Sequence, residues 1–299
     1  MELKQNRNFE ALVGDTFGFV RETGAHFIPT MLRVNFIYLL AVCAVAYLAF
    51  TTGYGAMDFM PSMHGFSDFG DFDTVVKQAL WVGDNAWALP LIGLLYLLLL
   101  VGFVMFSAYT PAYMILYSRY GRVPSASEIF RFLKEKVGRL VIYFLGLLLL
   151  SIPVAIVLIP LVVLLIVTIV GILLIPLVLL LLVMMSSLIL YAYLDDDKPG
   201  FFDSIDIAWR ALTNGFFRNI LCNGMIYILT GFLALLPNVL TLSFTDVTAP
   251  GLVFLGVACA LIALALHLVI SAFYSVNLGV IYFSGKADKR RFILNDPVK

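Results

Sequence analysis

Leu140 to Leu194 reads LVIYFLGLLLLSIPVAIVLIPLVVLLIVTIVGILLIPLVLLLLVMMSSLILYAYL, 55 residues without one charge. A bilayer core about 30 Å thick takes about 20 apolar helical residues per crossing. The run is too long for one helix and fits two, with a tight turn near Pro160 to Gly171. Pro153, Pro160 and Pro176 are the positions where a helix there would kink or end.

The rest of the chain agrees with that stretch. Of its 299 residues 62% are hydrophobic and only 13% charged, and the mean hydropathy is +1.00. A soluble domain carries about 25% charged residues, and a water-soluble fold of this size has too little interior to hide so much apolar side chain. Uncharged apolar runs recur at Val34 to Phe50, Ala86 to Tyr117, Asn219 to about Leu240 and Pro250 to Phe283. With the central pair they make six spans. The expected fold is an all-α, polytopic transmembrane bundle forming a single integral membrane domain over 1–299.

Net charge is zero, which offers no signal for nucleic acid. Cys43, Cys222 and Cys259 all fall in apolar runs without metal-ligand spacing and read as small buried hydrophobes. The first 30 residues hold seven charges and no short apolar stretch before a small-residue cleavage site. The first span is therefore expected to act as its own insertion signal.

Lys and Arg gather in four segments, the N-terminus, 119–139, 198–218 and the C-terminal tail, which together hold 18 of the 19; only Lys77 falls on the opposite side. The positive-inside rule places those segments, and both termini, in the cytoplasm.

The segments before the odd spans look alike: FEALVGDTFGFVRETGAHFIPTML (Phe9–Leu32), SASEIFRFLKEKVGRLVIYFL (Ser125–Leu145) and FFDSIDIAWRALTNGFFRNIL (Phe201–Leu221). Each has an early acid, apolar residues at helical spacing and a basic or polar break before the span. In the middle copy Ile129, Phe130, Leu133 and Val137 are expected to share one face. Each segment reads as an amphipathic helix in the interface, apolar side in the acyl boundary and cations toward headgroups. The even spans repeat too. Thr110, Ser186 and Ser275 each precede a tyrosine by seven residues, at Tyr117, Tyr193 and Tyr282. Two helical turns put hydroxyl and ring on one face. Three tandem units result, 1–117, 118–194 and 195–285, giving pseudo-threefold repetition, with 286–299 as a cytoplasmic tail.

The stretch MILYSRYGRVPSASEIF (Met114–Phe130), followed by an amphipathic helix and an apolar hairpin, resembles a broad group of bacterial six-span proteins similar to the membrane domain attached to some glycerophosphodiester phosphodiesterases. The resemblance implies the topology and a bacterial cytoplasmic (inner) membrane. It carries over no active site, because no stretch of about 200 soluble residues is present for the catalytic barrel.

Intramembrane chemistry is expected to show as ionisable residues, which are expensive there. The spans hold no Asp, Glu, Lys or Arg; the titratable exception is His267, with Ser271, Ser275 and Asn277 nearby. It reads either as a group in a cavity or, more simply, as a neutral histidine bonded to a neighbouring helix. Thr110, Ser186, Ser275 and Asn277 are possible cavity positions, with close helix packing the favoured role. Arg131, Lys134, Lys136 and Arg139 are candidate headgroup contacts. Asp58, His64, Asp68, Asp71 and Asp73 in the outer loop match no calcium-loop spacing. Asp195, Asp196 and Asp197 read as a solvated turn ended by Lys198-Pro199-Gly200. Nucleophile elbows, zinc motifs and phosphate loops are missing, so no enzyme, cofactor or metal is expected. The leading expectation is a scaffold or accessory subunit engaging anionic lipid and a membrane partner. The alternative is a channel or carrier for a lipid or uncharged solute.

Overall fold

The computed structural model describes residues 2, 3, 5, 7–41, 88–196, 200–242 and 250–295. Among these the chain is all helix: α1 (Phe9–Val34), α2 (Ala88–Tyr120), α3 (Ala126–Glu135), α4 (Val137–Ile166), α5 (Ile169–Asp195), α6 (Phe201–Thr213), α7 (Phe216–Leu242) and α8 (Pro250–Asn295). Five helices contain stretches long and apolar enough to cross a membrane: Leu100–Tyr120, Val137–Ile166, Leu174–Asp195, Phe216–Pro237 and Leu261–Ala287. The chain is a multi-pass helical membrane protein. Of the expected first span, residues 42–50 lie outside the described residues, as do the outer loop and Asp197-Lys198-Pro199.

The central apolar run divides where a turn was expected. Val167 and Thr168 separate α4 from α5, and the Thr168 hydroxyl caps α5 by accepting from Gly171 N at 2.9 Å. A Cβ at Gly171 would overlap the Leu165 carbonyl and the Thr168 hydroxyl, so the hairpin needs glycine there. Pro153, Pro160 and Pro176 all stay inside helices, as transmembrane helices tolerate.

The residues fall into two compact units: 1–34, 107–236 and 265–299 form one, 35–106 and 237–264 the other. In the second, Gly102 of α2 lies against the ring of Tyr38, where a Cβ would not fit. In the first, the core is built where the last turns of α2 and α5 meet the second half of α8: Tyr109, Tyr113, Met114, Leu188, Tyr191, Val276, Tyr282 and Phe283 are all buried. Gly279 of α8 makes this approach possible, since a Cβ there would collide with Met114 and the Tyr191 hydroxyl. Helix α4 is the most apolar of the five, and only Leu140 and Tyr143, near its start, are buried. Bare leucine and isoleucine along its length are stable against hydrocarbon, not against water.

Each of two long helices is preceded by a short one across a brief break. Lys136 separates α3 from α4, and Asn214-Gly215 separate α6 from α7, with Gly215 at φ +79°. Helix α1 ends in the same way at Asn35, after which 36–41 are again helical. Ser125 and Glu128 form a capping box at the start of α3. The face of α3 differs from the expected one: Ile129, Phe132 and Leu133 are buried, while Phe130 and Val137 are 51% and 44% exposed. The break at Lys136 puts Val137 on a new helix axis, so periodicity counted across it fails.

Candidate functional site: a charged cluster at one end of the helices

Asp195 is the last residue of α5, where helix carbonyls already concentrate negative charge. Its carboxylate is buried and is held from three sides. The Tyr282 hydroxyl donates to Oδ2 at 3.1 Å, Lys286 pairs with the same oxygen, and Arg119 Nη2 lies 3.7 Å from Oδ1. Arg119 also donates to the Asp195 backbone carbonyl. One carboxylate thereby ties the ends of α2 and α5 to the Tyr282–Lys286 stretch of α8, and two cations offset a charge that the helix terminus alone would repel.

Around it cations stack on rings. Arg139 Cζ sits 4.2 Å from the centroid of Tyr193, and Phe132 takes Arg119 at 5.8 Å on its ring and Lys136 at 5.6 Å. Lys136 is 7% exposed. Burial pushes its ammonium below the ordinary lysine range, and Arg139 and Arg119 push it the same way. Such pairs contribute about 0.5–2 kcal/mol each, so this layer closes the end of the bundle as much as the ion pairs do.

A tyrosine ladder fastens α1. Tyr109, Tyr113 and Tyr117 stand four residues apart on one face of α2. Tyr109 donates to the Phe27 carbonyl at 2.8 Å, Tyr113 OH lies 3.4 Å from His26 Nδ1, and Tyr117 donates to Glu22 at 3.4 Å. Phe19 and Phe27 pack edge-on against the same rings. Ahead of α1, Arg7 is buried and donates to Asp15 at 2.5 Å and to the carbonyls of Glu2, Leu3 and Gln5. Its own N–H donates to Ser284 and its carbonyl accepts from Arg218.

The residues singled out from sequence separate into groups. Asn277 is fully buried and joins three helices: its Nδ2 donates to Asn223 at 3.0 Å, and its Oδ1 accepts from Cys222 and Thr16 at 3.3 Å. Asn223 in turn donates to Tyr274 at 3.0 Å. Thr110 is buried in the core. Ser186 bonds its own helix at Val183, and its carbonyl accepts from Tyr143 at 2.8 Å. The Ser275 carbonyl accepts from Tyr191 at 2.9 Å. His267 is half-buried on α8. Of the basic set, Arg131 and Lys134 point outward while Lys136 is buried and Arg139 half-buried. These positions are not gathered into one site.

Comparison with protein-family models, curated proteins and solved structures finds no match to this chain. The site therefore stands on its geometry. Among the described residues no three His, Cys, Asp or Glu side chains come together to hold a metal. Sequence reasoning missed Asp195, reading it as part of a solvated turn. A signal was present: Asp195 follows Tyr193 by two residues, as Arg119 follows Tyr117 and Ser284 follows Tyr282. The same register thus carries an acid, a base and a hydroxyl.

Proposed function

We propose that this chain is a non-enzymatic scaffold or accessory subunit of a bacterial cytoplasmic membrane, with both termini in the cytoplasm, engaging anionic lipid and a membrane partner. The carrying observation is the two-faced surface of α3. Ile129, Phe132 and Leu133 are buried, with α3 packed on α1. On the other side Arg131 and Lys134 are exposed, next to exposed Phe130, and neither has an ionic partner among the described residues. Cations set beside an aromatic ring at the end of a span suit anionic headgroups, each contributing about 1 kcal/mol.

The contacts of Asn277, Ser186 and Ser275 favour packing over a solute path. The helix–break–helix passages at Asn35, Lys136 and Asn214-Gly215 support three tandem units, each an interfacial helix and a hairpin, and so six spans. Kinship with the membrane domain of glycerophosphodiester phosphodiesterases belongs to the same proposal and rests on the pattern at Met114–Phe130.

Native mass spectrometry of the R131Q/K134Q variant, released from vesicles of phosphatidylglycerol and phosphatidylcholine, tests the headgroup contact. Retention of phosphatidylglycerol over phosphatidylcholine should fall by roughly fivefold per residue removed; an unchanged ratio removes that contact. Wild-type protein taken from its own membrane should carry a second protein at fixed stoichiometry. A chain that flies alone with a discrete small molecule would overturn the accessory role in favour of a carrier.

A further inference from the structure

Helix α6 turns mostly small residues inward and its largest aromatic ones, Phe202 and Trp209, outward. Ser204, Ala208, Ala211 and Leu212 are buried, and Gly285 of α8 approaches so closely that a Cβ there would stand 2.9 Å from the Ala211 Cα. Phe202 and Trp209, seven residues and so two turns apart on one face, are 76% and 53% exposed. Ile205 falls beside them at about 100° per residue. The next arc is charged: Asp206 pairs with Arg210 at 2.5 Å, and Asp203 accepts from Gly200 N at 2.9 Å. The helix thus has a protein side, an aromatic side and a charged side, the last with a net negative charge.

The depth of α6 follows from its first residue. The Phe201 ring packs on Tyr143 and Tyr193, with centroids 6.4 and 6.3 Å away, and lies so close to Gly146 that a Cβ would meet it at 2.8 Å. Tyr143 and Gly146 stand about 9 and 14 Å along α4 from Val137, at 1.5 Å per residue. By that level α4 already shows Val141, Ile142 and Leu145 at half exposure or more. Phe217, exposed at the start of α7, begins a face continued by Leu221, Ile228 and Phe232 down that membrane-spanning helix. The start of α6 therefore lies at the level where α4 already presents exposed apolar side chains. Its angle is fixed: Asn219 Nδ2 donates to the carbonyls of Ala211, Leu212 and Asn214 at 3.2, 3.0 and 2.9 Å.

We propose that Phe202, Ile205, Trp209 and Phe217 form an aromatic wedge that docks into the bilayer at the headgroup–acyl boundary, held by acyl-chain contact and not by headgroup charge. Aromatic rings favour that level, and α6 has an acidic balance in which its one cation, Arg210, is paired with Asp206. The inference rests on the interfacial placement of α6 proposed above, and is independent of the headgroup contact of α3.

Trp209 reports directly, because the chain has only two other tryptophans, Trp81 and Trp87. The full-length W81F/W87F variant is placed in phosphatidylcholine vesicles whose acyl chains are brominated either near the headgroup or near the chain end. Trp209 should emit at short wavelength, lose most of its fluorescence to the shallow bromines and less to the deep ones, and resist aqueous iodide. Added phosphatidylglycerol should change nothing. Quenching by iodide but not by bromine would overturn the wedge, and so would protection from both, which would mean a protein covers this face. Quenching that appears only with phosphatidylglycerol would overturn the charge-independence. Where W81F/W87F does not fold, the difference between wild type and W209F in the same vesicles reads the same residue. Loss of lipid selectivity in R131Q/K134Q with an unquenched Trp209 would sink the wedge and leave the α3 contact standing; the reverse pattern would do the opposite.

Discussion

Asp195 accepts a hydrogen bond from Tyr282 at 3.1 Å across 87 residues of sequence. The bond joins the end of α5 to α8, and Lys286 and Arg119 close the same carboxylate from two further sides. A buried acid with three partners is a structural keystone of this end, because removing it strands two cations beside a helix terminus.

Asp195→Asn keeps the shape and removes the charge. Breaking a buried pair by removing one partner costs about 3–5 kcal/mol. Lys286 and Arg119 are 38% and 39% exposed in their side chains, so water recovers part of that loss and about 1–3 kcal/mol remains. Unfolding of reconstituted protein by denaturing detergent should shift by that amount. A shift no larger than that of an exposed control, Asp206→Asn, would show that the cluster does not hold the helices together.

Asn277→Ala should loosen three helices at once, since Asn223, Cys222 and Thr16 all lose a partner. Polar pairs within membranes contribute about 0.6–2 kcal/mol, and the double variant N223A/N277A should cost little more than either single change. Full additivity in a double-mutant cycle would refute the network. Asn277 lining a solute path would instead predict altered permeation with stability unchanged.

Glu128 makes α3 sensitive to acid. The Arg122 guanidinium, bonded at 2.5 Å, together with the cap bonds from Ser125, holds the carboxyl at about 2 against an ordinary 4.5. A carboxyl depressed in the folded state lends stability that is complete above about pH 4.5 and is lost as pH falls toward 2. Amide-exchange protection at residues 126–129 should decline across that window. Glu128→Gln keeps the capping geometry and should flatten the profile; a variant that still loses protection on acidification would assign the effect to another acid.

How much could be read beforehand depended on whether the interaction was local. In lipid every backbone N–H and C=O must be satisfied within its own segment. Composition along the chain therefore decides where membrane helices run, and the hairpin expected between Pro160 and Gly171 turns at Val167-Thr168. Break residues such as Lys136 and the capping box at Ser125 and Glu128 act over three or four positions, so they too belong to the sequence. The inward face of α3 was not read correctly: Phe132 and not Phe130 is buried with Ile129 and Leu133, and Arg119, brought from another helix, lies over its ring.

The sequence by itself determined an all-helical chain with apolar runs too long and too bare for water, because hydrogen-bond satisfaction and hydrocarbon transfer are set residue by residue. Tertiary structure alone decided which polar groups meet. Asp195 with Lys286, Asn277 with Asn223 and Arg7 with Ser284 are pairs 91, 54 and 277 residues apart. No local spacing encodes such distances; only the packed helices bring those atoms within reach, and a buried charge or amide left without its partner is destabilising.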